Sequence, residues 1–252
     1  MTGTKEITFT KEEKSAFIRR TYGWMALALF ISSAVAWFTA TAVISSQPGE
    51  APSTLFQLLF GKPFFGIKAG GYMVLCFLEL AVVFWLTSRI QVMSVFTAVI
   101  GFIFYSVING LTLSSIFAAY SISSIGTAFL STGVTFLVMC IFGTVTKTDL
   151  TKFGRYLMMA LLGIIIASVL QFVIGFFTGA PLAMMDFLIS IASIIIFTGL
   201  AAWDAQKILK TAQMAKNNDD YKKVAILGAL ELYLDFINLL LALLRFTGKR
   251  KE

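Results

Sequence analysis

Seven apolar stretches divide the chain, at approximately 23–44, 72–88, 93–117, 124–145, 156–178, 182–203 and 224–245. Each is close to the ~20 residues that a helix rising 1.5 Å per residue needs to cross ~30 Å of hydrocarbon. The pattern predicts seven transmembrane helices in one bundle over 23–246. A polar N-terminal tail (1–22) and a short basic C-terminal tail (247–252) flank it. All four prolines lie between stretches or at a first turn: Pro48, Pro52 and Pro63 in the long connection 45–71, and Pro181 where stretch six begins. Thr178-Gly179-Ala180-Pro181 reads as a tight hairpin. Leu55, Phe56, Leu58, Leu59 and Phe60 suit a segment lying along a membrane surface. Ala34-Val35-Ala36 resembles a signal cleavage site, but Glu6, Glu12 and Glu13 precede the stretch and the apolar run continues past it. It is read as a span, not a cleaved leader.

Composition agrees with that pattern. The 252 residues are 58% hydrophobic and 13% charged, with mean hydropathy +0.86, whereas a soluble domain carries about a quarter charged residues. The net charge of +7 is not a nucleic-acid signature, because Lys and Arg sit in the short connections as topology determinants do. With the N-terminus cytoplasmic, fourteen of the twenty face inward and six outward. One feature resists: Arg245, Lys249, Arg250 and Lys251 would face outward after a full seventh crossing. Stretch seven therefore either crosses completely or re-enters to return its end to the cytoplasm. Cys76 and Cys140 fall inside apolar stretches and read as isolated buried thiols. The chain has no histidine, so proton sensing would fall to carboxylates.

Ionisable residues inside apolar stretches are costly in hydrocarbon, which makes the few survivors informative. Glu231, Asp235 and Asn238 are spaced four and three apart and form one stripe on stretch seven. Extending the stripe reaches Ala242, small enough for a neighbouring helix to approach closely, and Arg245. Asp186 and Asp204 are eighteen residues apart, share a face of stretch six with Ser190 and Ser193, and Asp204 falls at its cytoplasmic end. Arg89, ending stretch two, lies at the same level and can pair with Asp204, while Glu79 sits deeper. Asn109 suits an interhelical amide bond, and Gly163 with Ala167 suits close packing. For Asp186 and Gln171, structural glue is the preferred reading; an anion also suits a helix first turn. Two acids and an arginine, by contrast, carry a large desolvation cost merely to hold helices together, so Asp204 and Asp235 are read as functional.

Ala229-Leu230-Glu231-Leu232-Tyr233-Leu234-Asp235-Phe236-Ile237-Asn238 followed by Leu244-Arg245 resembles the terminal signature of the Bax inhibitor-1 (transmembrane Bax inhibitor motif) family. Asn109-Gly110-Leu111-Thr112-Leu113-Ser114-Ser115-Ile116-Phe117 resembles its third-helix motif. Asp204-Ala205-Gln206 is similar to its sixth-helix Asp-Thr-Gln, with Ala205 the departure. The likeness runs nearly end to end and looks bacterial. It implies an all-α seven-helix bundle around a central last helix, in the cell inner membrane, working as a pH-sensitive calcium leak and not as an enzyme. By position it makes Asp204 and Asp235 the proton-sharing pair and weak, transient calcium ligands, and Arg89 the latch. Glu79, Glu231, Asn238 and Asn109 would line the ion pathway.

The physics is coherent with that implication. Two carboxylates in a low-dielectric site cannot both ionise cheaply, so they would share a proton. Calcium wants six to eight oxygens; few are available, which suits permeation of a transported ion and no resident cofactor. The partners are then calcium, protons and lipid, with no nucleic acid. Rival readings are a non-transporting regulator of a membrane protease or other membrane partner, and a proton-coupled calcium exchanger. An intramembrane aspartyl protease would need a Gly-x-Gly-Asp segment, and Ala201-Ala202-Trp203 precedes Asp204.

Overall fold

The computed structural model describes residues 11–44, 70–179, 182–215 and 218–249. Among them are seven helices: α1 (Lys11–Ile44), α2 (Gly70–Arg89), α3 (Val95–Ala119), α4 (Ile122–Val145), α5 (Thr151–Thr178), α6 (Ala183–Gln213) and α7 (Asn218–Thr247). All seven are long and apolar enough to cross a membrane, and no strand occurs among the described residues. Local chemistry sets several boundaries. Ser94 and Ser121 cap α3 and α4 by accepting from the Thr97 and Ser124 backbone N–H groups. Gly179 ends α5 at φ 65° with its N–H on the Gly175 carbonyl, a left-handed position that favours glycine. The remainder of that hairpin (180–181), the connection 45–69 with the prolines and the apolar cluster expected along the membrane surface, and residues 1–10 and 250–252 lie outside the described residues.

The last helix is central. It packs against α6, α1, α4 and α3, whereas α2 rests on α3 and α5 on α6. In the most apolar window of each span, 67% of α7 is buried against 6% of α2 and of α5. Aromatic edges hold α7 in place: Phe102 and Tyr105 of α3 lie 5.9 and 6.0 Å from the Tyr233 ring, and Phe129 and Phe136 of α4 each 5.5 Å from Phe236. Such contacts matter in lipid, where apolar burial alone does not favour one helix partner over the acyl chains. Outward-facing Phe30, Phe38, Phe77, Phe84 and Phe177 are exposed by the protein itself, as lipid-facing residues should be.

Two expectations change and one open alternative falls away. The first helix begins at Lys11, so residues 11–22, expected in the polar tail, are part of it. Phe17 is buried and meets the Tyr221 ring edge-on at 5.1 Å, while Tyr221 donates to the Glu13 carbonyl. Second, α7 runs uninterrupted for 30 residues, about 45 Å, so the re-entrant alternative is not adopted. Its end meets the α3–α4 connection, where Lys249 N–H donates to Ser124 Oγ and Ser121 N–H to the Lys249 carbonyl. Third, close helix approach does not use Gly163, whose Cβ position meets nothing. It uses Gly143 against the Ala202 carbonyl, Gly110 where an added Cβ would come within 2.7 Å of the Ser32 carbonyl oxygen, and Gly228 where one would come within 2.6 Å of the Ile208 side chain. Sequence spacing identified small residues but not the face they occupy. Ala242 is fully buried, as its place on the α7 stripe requires.

Candidate functional site in the helix bundle

Antiparallel packing of α6 on α7 brings Asp204 and Asp235 together. Both are buried, at 7% and 5% exposure, and their carboxyls lie against one another across the interface. Oδ2 of Asp235 is enclosed and receives no hydrogen bond among the described groups. An enclosed oxygen without a donor carries an uncompensated desolvation cost, and two touching carboxylates repel; a proton between them relieves both. Cys140 of α4 forms part of the wall beside the pair, with Tyr22 of α1 against its thiol.

The cation at this site is Lys207. Its Nζ lies 3.1 Å from Asp204 Oδ1 and 2.9 Å from Glu231 Oε1, joining α6 to α7. It also sits 4.8 Å from the centre of the Trp203 ring, a cation–π distance. The sequence reading missed Lys207 because stretch six was ended at residue 203, which made this lysine a loop residue. Yet α6 continues to Gln213, so Asp204 stands roughly 13 Å inside the helix end. The signal was available: Lys207 follows Asp204 by three positions, one face of a helix.

A second polar cluster lies among α1, α2, α3 and α7. Glu79 Oε1 accepts from Asn109 Nδ2 (3.1 Å) and Thr112 Oγ1 (2.9 Å). Tyr233 hydroxyl contacts Asn109 Oδ1 at 2.8 Å and Ser32 Oγ at 2.6 Å, and Ser32 donates to the Ser106 carbonyl at 2.7 Å. Ser32 and Tyr233 carried no signal of their own in the sequence.

Residues 14–252 match the family described as "Inhibitor of apoptosis-promoting Bax1". The chain belongs to the Bax inhibitor-1 family. Among its relatives, the inner membrane protein YbhL of Escherichia coli K12 is 37% identical over 237 residues, 93% of this chain and 92% of that one. An uncharacterized protein of Borreliella burgdorferi is 37% identical over 251 residues, 98% of this chain and 99% of the relative. An uncharacterized membrane protein of Streptococcus pyogenes serotype M6 is 40% identical over 148 residues, covering 59% and 62%.

In this Bax inhibitor-1 family protein the remaining predicted residues separate. Arg89 ends α2 exposed and makes no ion pair among the described residues, so the expected Arg89–Asp204 pair is replaced by Lys207–Asp204. The packing of α2 decides this: the helix leans on α3, and its end at Arg89 stays exposed. Glu231 joins the aspartate cluster through Lys207, whereas Asn238 turns its amide to the Leu234 carbonyl of its own helix (2.8 Å). Asn109 and Glu79 belong to the second cluster. Asp186 lies 4.0 Å from Arg245 at the opposite end of the bundle. No three metal-ligating side chains converge among the described residues; the Lys207 ammonium stands between Asp204 and Glu231. Gln206 of the sixth-helix motif fastens the α4–α5 turn, accepting from Leu150 N–H and donating to the Thr148 carbonyl at 2.9 Å each. In that same turn, outside the spans, Asp149 is held well below the usual carboxylate range by hydrogen bonds from Lys210 and Thr151.

Proposed function

We propose that this family member is a pH-sensitive, calcium-permeable leak of the cell inner membrane, with its N-terminus cytoplasmic, gated by the Asp204–Asp235 pair. The observation that carries the reading is the contact of two buried carboxyls with one oxygen, Asp235 Oδ2, left without a donor. A carboxyl pair in such a place is completed by one proton, and its arrangement responds to adding or removing that proton. Burial of Asp204 and Asp235 in the most enclosed part of the bundle makes the response a repacking of α6 against α7. Family membership supports the choice, as does the name of the Escherichia coli relative for the membrane concerned.

Lys207 takes the latch role that the resemblance implied for Arg89. It holds Asp204 and Glu231 together while both are ionised, so the contact under proton control joins α6 to α7 and not α2 to α6. Calcium, a hard cation, would meet these carboxylates in passing and compete with the lysine ammonium for them, which keeps binding weak. Purified protein in vesicles with an enclosed calcium dye tests the reading across a pH series. The parent should leak calcium with a pH-dependent rate, and Asp204→Asn and Asp235→Asn should each flatten that dependence. Unchanged dependence in both variants refutes the gate. Folded protein that passes no calcium at any pH refutes the leak in favour of a non-transporting regulator, and flux that requires a pH gradient indicates an exchanger.

A further inference from the structure

The hydrogen bonds of the second cluster do not balance if Glu79 is ionised. Four contacts run in sequence from the Ser106 carbonyl to Ser32 Oγ, Tyr233 hydroxyl, the Asn109 amide and Glu79 Oε1. Each needs one proton between its two heavy atoms. Ser32 and Tyr233 supply one each. The Asn109 amide supplies one, because its NH₂ faces either Tyr233 or Glu79 and its oxygen faces the other. Three donors therefore serve four contacts, all of 2.6–3.1 Å, and some pair of oxygens is left facing each other with nothing between.

We infer that Glu79 is a second proton-binding site within the membrane, its carboxyl donating to Asn109 and completing a chain that ends at the Ser106 carbonyl. With that proton present, the Asn109 oxygen accepts from Glu79, its NH₂ donates to Tyr233, Tyr233 donates to Ser32, and Ser32 donates to Ser106. Every contact is then filled. Thr112 adds its own hydroxyl to Glu79, or to the Ile108 carbonyl 3.2 Å away. When the proton leaves, the amide turns over, the hydroxyl chain reverses, and the Ser32–Ser106 contact at the α1–α3 seam loses its hydrogen. Protonation of Glu79 on α2 is thereby linked to how α1, α3 and α7 are tied together.

Among the described residues the surroundings do not supply a competing charge. The titratable groups facing Glu79 are Tyr72 and Cys76 of α2, Tyr105 of α3 and Tyr233 of α7, all neutral near pH 7 in their ordinary state. Glu79 makes no ion pair among the described residues, in contrast to Glu231. It stands at the middle of α2, where an unpaired ionised carboxylate is most costly.

Infrared difference spectroscopy on the full chain in lipid nanodiscs tests this without reference to calcium flux. A protonated-carboxyl C=O band should be present at neutral pH, persist in an Asp204→Asn/Asp235→Asn double variant, and vanish in Glu79→Gln. Tyr233→Phe removes the contact that creates the deficit, leaving Ser32 for Ser106 and the Asn109 NH₂ for an ionised Glu79. In that variant the band should disappear at a pH about one unit lower than in the parent, the equivalent of one hydrogen bond to a charged group. Absence of a Glu79-dependent band at neutral pH overturns the assignment. A band whose pH profile is unmoved by Tyr233→Phe overturns the donor count as its cause, and this arm decides the question alone if Glu79→Gln fails to fold.

Discussion

Replacing Lys207 by Met keeps an aliphatic stem lying over Trp203 and deletes the charge between Asp204 and Glu231. Two opposite unit charges at the observed 2.9 and 3.1 Å attract by about 5 kcal/mol per pair at an effective dielectric near 20, most of which is offset by the desolvation of the groups themselves. Removing one partner of a buried pair costs ~3–5 kcal/mol. The lysine side chain is 36% exposed, so solvent reduces this, and we expect about 2 kcal/mol at neutral pH. For a chain of this length that corresponds to a melting point lower by about 4–8 °C. The sign with pH is fixed by the carboxylates: Lys207 attracts them only while they are ionised, so the difference between Lys207→Met and parent should shrink as the pH falls and they take up protons. Tryptophan fluorescence during thermal scans in detergent, at neutral and acidic pH, measures both, and Lys207→Arg should stay close to parent. A Lys207→Met protein that melts with the parent at neutral pH, or whose deficit is the same under acid, would show that the ammonium does not hold α6 to α7.

Further outcomes follow from the same geometry. Gly143→Ala drives a methyl into the Ala202 carbonyl and should destabilise by about 1–3 kcal/mol through forced separation of α4 from α6. Gly163→Ala meets nothing and should be neutral, or stabilising by up to ~1 kcal/mol from helix propensity; equal melting shifts for the two would contradict the packing. Gln206→Ala strips Leu150 N–H of its acceptor and should cost about 1 kcal/mol, read as faster amide exchange at the α4–α5 turn. Arg89→Gln, exposed and outside the ion pairs, should change stability by less than ~0.5 kcal/mol in the same thermal scans, and a loss as large as that of Lys207→Met would restore it to the latch.

Much of this protein is decided by its sequence. A helix that must satisfy its backbone bonds in hydrocarbon has a fixed length, so seven apolar stretches of that length and few charges dictate seven spans. The same cost of charge in oil makes Asp204, Asp235, Glu231 and Glu79 conspicuous wherever they are placed, and helical spacing puts three of α7's polar residues on one stripe. Tertiary structure decided which of them meet. Helix faces and axial register are set by contacts between distant segments: Gly143 on Ala202, Gly228 on Ile208, the rings around Tyr233. An extension of nearly three turns along α6, from an expected end at residue 203 to a real one at Gln213, converts Lys207 from a loop cation to the partner of two carboxylates. The leaning of α2 on α3 leaves Arg89 outside and delivers Glu79 to Asn109. Partners of a buried charge are chosen by packing, which no local pattern encodes.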